Sequence, residues 1–125
     1  MSDEGPRKTI LAVDDAPENL DVIKSILVPE YTMMAAINGK MALKIAEARA
    51  PDLILLDVMM PEMDGYEVCR LLKSNVKTSA IPVVFVTGMD QATDEAKGLE
   101  LGAVAYVMKP VDPALLREAV KKQLA

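Results

Sequence analysis

The sequence predicts an α/β fold of three layers, a parallel sheet of five strands between two layers of helices. Three features of the chain point to that class. The runs Ile10 to Val13, Leu53 to Leu56, Val83 to Val86 and Ala105 to Met108 are apolar throughout, which suits strands buried on both faces. Segments with helical spacing alternate with these runs along the whole chain, the pattern of βαβ units. Each run also ends on a reactive polar group: Asp14-Asp15, Asp57, Thr87 and Lys109-Pro110 in turn. Ligands of open parallel sheets bind at the carboxyl ends of the strands, so those groups should share one rim.

The elements follow in order. A first strand is expected from Thr9 to Val13. Asp15 or Ala16 should cap a helix with Pro17 in its first turn, where a missing N–H is harmless. Leu20, Ile23 and Leu27 give that helix a buried stripe, and Pro29 ends it. Tyr31 to Ile37 is a second strand, and Asn38-Gly39 reads as a turn. Ala42, Ile45 and Ala46 mark a second helix, stopped by Pro51 before a strand from Asp52 to Leu56. Met60 to Gly65 is a loop into a third helix capped by Asp64. Ile81 to Val86 is the fourth strand, with Pro82 tolerable at its start. A fourth helix from Asp90 to Leu101 should close at Gly102. Its apolar positions (Ala92, Ala96, Leu99) are small or sparse, so much of it should stay exposed. Val104 to Met108 is the fifth strand, and Asp112-Pro113 opens the last helix. Leu116, Ala119, Val120 and Leu124 face inward there.

The 125 residues suffice for one domain with a single substantial core. The chain reads as a polar tail over 1–8 and one domain over 9–125, without linker or repeat. A net charge of −5 argues against direct nucleic-acid binding, which needs clustered cations. Arg117, Lys121 and Lys122 read as a solvated face near a helix end. The single cysteine, Cys69, excludes an internal disulfide and points to a reducing, cytoplasmic compartment. With no histidine to activate it, Cys69 is expected to pack rather than react, and zinc or iron sites are disfavoured. No signal-peptide core is present, and no apolar stretch approaches the roughly 18 residues of a membrane span.

At the expected rim the chemistry suits phosphoryl transfer. Two carboxylates about 4 Å apart repel by about 4 kcal/mol near a protein surface, so Asp14, Asp15 and Asp57 need protons, hydrogen bonds or a cation. An oxygen-only set with few protein ligands suits Mg²⁺, and Mn²⁺ could substitute. Taken singly, each group has a plainer reading: Asp14-Asp15 as cap and loop acids, Asp57 as a turn residue, Thr87 as a cap, Lys109 as a solvated charge. Their co-occurrence at four strand ends favours one site.

Asp14-Asp15, the stretch Asp57-Val-Met-Met-Pro-Glu-Met-Asp-Gly65, Thr87-Gly88, Tyr106 and Lys109-Pro110 together resemble the receiver domain of two-component response regulators, the CheY-like superfamily. The resemblance spans nearly the whole chain, Lys8 to Leu124. It implies a flavodoxin-like (βα)5 sandwich with sheet order 2-1-3-4-5. It implies that Asp57 takes a phosphoryl group from a histidine kinase or phosphotransfer protein. Asp15 would then bind Mg²⁺ directly, Asp14 would assist through water, and the Met59 carbonyl would complete the protein's share of the shell. Lys109 and the Thr87 hydroxyl would contact phosphoryl oxygens, and Gly88 would let a backbone N–H approach them. Pro110 would be cis. Tyr106, otherwise a half-buried strand aromatic, would turn as Thr87 moves, altering the face of helix 4, strand 5 and helix 5. That face would meet a downstream effector or fused output domain, and phosphorylation-dependent pairing of two copies stays open.

Met59, Met60, Met63 and Met89 flank the expected pocket, where Met59 and Met89 could hinder water's approach to an acyl phosphate. Asp15-Ala-Pro-Glu-Asn-Leu20 with Gly98-Leu-Glu-Leu-Gly-Ala103 resembles receivers attached to cyclic-di-GMP enzymes or hybrid kinases. The alternative is thus an amino-terminal regulatory fragment of such a protein. The main reading is a switch that assists its own phosphorylation and hydrolysis, not a turnover enzyme. A Mg²⁺-dependent aspartyl phosphohydrolase would instead place Asp-x-Asp after the first strand, and a nucleotide binder would need a Gly-rich loop there.

Overall fold

The structure, a computed structural model, describes residues 7–88 and 92–124. Five strands, β1 (Thr9–Val13), β2 (Thr32–Ala36), β3 (Leu53–Leu56), β4 (Val83–Thr87) and β5 (Ala105–Met108), form one parallel sheet in the order β2-β1-β3-β4-β5. Helices α1 (Pro17–Leu27), α2 (Gly39–Arg49), α3 (Gly65–Ser74), α4 (Ala92–Glu100) and α5 (Pro113–Leu124) alternate with them.

Strand side chains point alternately to the two faces, so each aliphatic run feeds two cores. Leu11, Val13, Ile54, Leu56, Val83 and Phe85 pack with residues of α2 and α3. Ile10, Ala12, Leu53, Leu55, Val84 and Val86 pack with α1 and α5. This two-sided burial is why the runs lack polar alternation.

Local sequence explains most boundaries. Asp64 Oδ1 accepts from the Glu67 N–H at 2.9 Å, and Asp112 Oδ1 from the Ala114 N–H at 2.9 Å, so both acids cap as expected. Gly102 takes the left-handed conformation (φ 109°) just past α4, where glycine carries no Cβ penalty. Asn38 does more than mark the turn before α2. It is the N-cap of α2, its Oδ1 accepting from the Met41 N–H at 2.8 Å. Ala16 caps α1 without a side-chain bond.

β2 is shorter than expected, running Thr32–Ala36 rather than Tyr31 to Ile37, and β4 starts at Val83 and takes in Thr87. Pairing decides both limits: Thr9 matches Thr32 and Val13 matches Ala36, while Thr87 finds Met108 across β5. Asp90, the expected start of the fourth helix, lies outside the described residues. Within that helix Leu99 is 47 % exposed, in keeping with its sparse apolar content. Cys69 is buried in the core, which suits packing, and burial pushes its thiol pKa up.

Candidate functional site

Register brings the polar ends together. Val13 pairs with Leu56, so β1 and β3 end level with each other. The Asp57 N–H then donates to the Val13 carbonyl at 3.0 Å. The sheet order reverses between these two strands, which opens a crevice at their carboxyl ends. On the other side Thr87 pairs with Met108, so Lys109 emerges next to the same rim. The Lys109 N–H donates to the Thr87 carbonyl at 2.9 Å, and the Lys109–Pro110 bond is cis.

One carboxylate oxygen each from Asp14, Asp15 and Asp57 lies within 4.8 Å of the others. Asp14 and Asp57 are 2 % and 4 % exposed, whereas Asp15 is open to solvent. Lys109 reaches both buried acids, its Nζ standing 2.7 Å from Asp14 Oδ2 and 3.5 Å from Asp57 Oδ1. Asp14 is further held by the Ala16 N–H on Oδ1 at 2.9 Å and by Asn19 Nδ2 on Oδ2 at 3.2 Å.

Burial raises the Asp57 pKa above the ordinary carboxylate range, and the Asp14 charge adds to it. Lys109 and a hydrogen bond from the Met59 N–H oppose that rise without cancelling it. A buried, partly compensated acid beside two further carboxylates is a donor set that a hard cation would relieve. The set contains oxygen alone, without the thiolate or imidazole that would favour a softer metal.

The remaining expected residues take varied places. Thr87 is fully buried at the end of β4. Tyr106 is half-buried on β5, packed against the core on the α2 and α3 side, and lies outside the acid cluster. The Met59 side chain is 64 % exposed, while Met60 is buried and Met63 packs against the core. Met89 lies outside the described residues.

Two contributors to the site escaped sequence reasoning. Asn19 carries no chemical role in the sequence reading, although its place in the first turn of α1, five residues after Asp14, is a signal that its side chain can reach back to the strand end. Gly65 reads from the sequence as the end of the loop before α3 and of the stretch that carries the family resemblance, with no contact to Asp57 implied. A Cβ there would overlap the Asp57 carbonyl oxygen and lie 2.9 Å from Val58 Cα, and the Gly65 N–H donates to the Val58 carbonyl at 2.9 Å. The start of α3 thus rests directly on the backbone that carries Asp57.

A family model described as the response regulator receiver domain matches residues 10–121. The chain belongs to that family. It is 48% identical over 116 residues to a protein of Vibrio cholerae serotype O1 named "Probable cyclic di-GMP phosphodiesterase", covering 93% of this chain and 26% of that one. It is 44% identical over 113 residues to the response regulator PleD of Caulobacter vibrioides, covering 90% and 25%. Among solved structures, the signal receiver domain of a signal transduction histidine kinase from Syntrophus aciditrophicus superposes with a TM-score of 0.84. That pair shares 37% identity over 94% of this chain and 89% of the other. As a receiver domain, the chain is a signalling switch with the CheY-like fold. It spans about a quarter of the length of those first two curated relatives. Among the described residues no helix is long and apolar enough to cross a membrane.

Proposed function

We propose that Asp57 is the phosphoacceptor of this receiver. A carboxylate oxygen of Asp57 attacks the phosphorus of a phosphohistidine on a histidine kinase or phosphotransfer protein. The P–N bond breaks, the imidazole leaves with its electron pair, and an acyl phosphate forms on Asp57. Such a displacement asks the protein mainly for alignment and for stabilisation of charge on the phosphoryl oxygens. The Lys109 ammonium, 3.5 Å from Asp57 Oδ1, supplies one positive charge, and the Thr87 hydroxyl supplies a hydrogen bond. Asp15, Asp57 and the Met59 carbonyl would hold Mg²⁺, or Mn²⁺, with Asp14 assisting. When bound, the ion neutralises the acids and the phosphoryl oxygens.

The new phosphoryl charge draws Thr87 and Lys109 toward Asp57. Tyr106 then turns toward the space beside β5, and the surface of α4, β5 and α5 changes. A downstream effector or an attached output domain reads that change. The reading as the regulatory segment of a longer protein is favoured by one observation, the small share of its relatives that the chain spans. The lone, buried Cys69 suits a reducing cytoplasm.

One observation carries the reading. A buried acid with a raised pKa shares a cluster with two more acids and an amine. Intact mass after incubation with acetyl phosphate tests it, with and without Mg²⁺ and beside Asp57→Asn. A metal-dependent phosphate adduct absent from the variant is expected. No adduct from acetyl phosphate or phosphoramidate would leave a passive binding module.

A further inference from the structure

Asn19 sits in the first turns of α1, half-buried, between the acid cluster and the Pro110 loop. Its side chain donates to Oδ2 of Asp14 at 3.2 Å. That oxygen also accepts from Lys109 at 2.7 Å. An ionised carboxylate only accepts, so the amide must present its nitrogen. Oδ1 is already committed to the Ala16 N–H at 2.9 Å, and Asp14 is 2 % exposed. Oδ2 therefore depends on protein donors more than on water.

This sharing matters because Lys109 has two acids to serve. In the structure it sits closer to Asp14 than to Asp57. To meet a phosphoryl group on Asp57, its ammonium must leave Asp14 Oδ2. A buried acceptor stripped of its donor is costly. Asn19 stays behind as a donor to the same oxygen, so the departure does not strand it.

We propose that Asn19 is a positioning residue for phosphoryl acceptance, one that keeps Asp14 anchored and hydrogen-bonded while Lys109 transfers to the group on Asp57. The proposal rests on the reading of Asp57 as phosphoacceptor. Asn19 touches neither phosphorus nor the attacking oxygen. It acts through Asp14.

The test compares the wild type, Asn19→Leu and Asp57→Asn. Adduct formation from acetyl phosphate is followed by intact mass across a Mg²⁺ series, and thermal melts are run in EDTA. Leucine keeps the branched outline of asparagine, lacks the donor and is the better helix former. Asn19→Leu is expected to lower the maximal rate about tenfold. The Mg²⁺ concentration giving half that rate should stay at the wild-type value, and the melting temperature should stay at or above it. A general loosening of the site would move all three quantities together. A wild-type rate in Asn19→Leu overturns the proposal, as does a rate loss accompanied by a lower melting temperature or a shifted Mg²⁺ midpoint. No adduct on the wild type itself overturns the phosphoacceptor reading as well, so the two failures are distinguishable.

Discussion

Gly65 stands so close to Asp57 that a methyl group on its Cα would overlap the Asp57 carbonyl oxygen. The obstacle is backbone, which cannot rotate aside as a side chain can. Gly65→Ala is therefore expected to push the α3 start away from the β3 end, with an overpacking cost of about 3 kcal/mol. Urea unfolding measures the loss of stability, and the phosphate adduct rate should fall with it. An alanine variant of wild-type stability would show that the two segments are free to part.

The raised pKa of Asp57 sets a pH dependence. Burial is the main cause and the Asp14 charge adds to it, against Lys109 and the Met59 N–H. A carboxyl raised in the folded state favours folding fully below its unfolded pKa. That contribution is lost as pH rises through the folded pKa. Above the folded pKa the ionised group therefore works against the fold. Asp57→Asn should melt higher than wild type at pH 7 in EDTA, with the gap closing at pH values below the ordinary carboxylate range. A gap that stays constant over that titration would contradict a strained carboxylate.

Lys109 is the cation that faces both buried acids. Lys109→Met keeps most of the aliphatic stem and leaves the acids uncompensated, at a cost on the order of 3 kcal/mol at neutral pH. Added Mg²⁺ or a lower pH should recover much of it, because either relieves the same repulsion. Chemical denaturation at neutral and acid pH, with and without the ion, reads this out. Equal losses in all conditions would point to packing rather than charge.

A chain of ring contacts ties α4 to the sheet. Lys97 Nζ lies 4.6 Å from the Tyr66 ring centroid, and Tyr66 meets Phe85 edge-on with centroids 5.5 Å apart. Lys97→Ala should cost about 0.5–1 kcal/mol. A double-mutant cycle with Tyr66→Leu should show coupling of similar size, and strict additivity would show that the ammonium and ring are independent.

Much of this was legible in the residues. Runs such as Leu53 to Leu56 have only one economical burial, with helices on both faces, so the layers follow from composition along the chain. Caps are equally local: Asp64 and Asp112 bond N–H groups two or three residues ahead, and such short-range geometry is read directly from spacing. Strand limits were less legible. Whether Thr87 extends β4 depends on a partner on β5, which no residue near Thr87 encodes.

Residue order alone sets the layers and the strand ends that carry Asp14, Asp15, Asp57, Thr87 and Lys109, because aliphatic runs and the polar groups after them are read along the chain. How those groups share their bonds comes from packing in three dimensions: Lys109 lies nearer Asp14, 95 residues away, than Asp57, Asn19 serves the same oxygen, and Gly65 must lack a side chain. Burial preference belongs to each segment, whereas a hydrogen bond of about 3 Å depends on the registers and helix positions that the whole packed chain settles together.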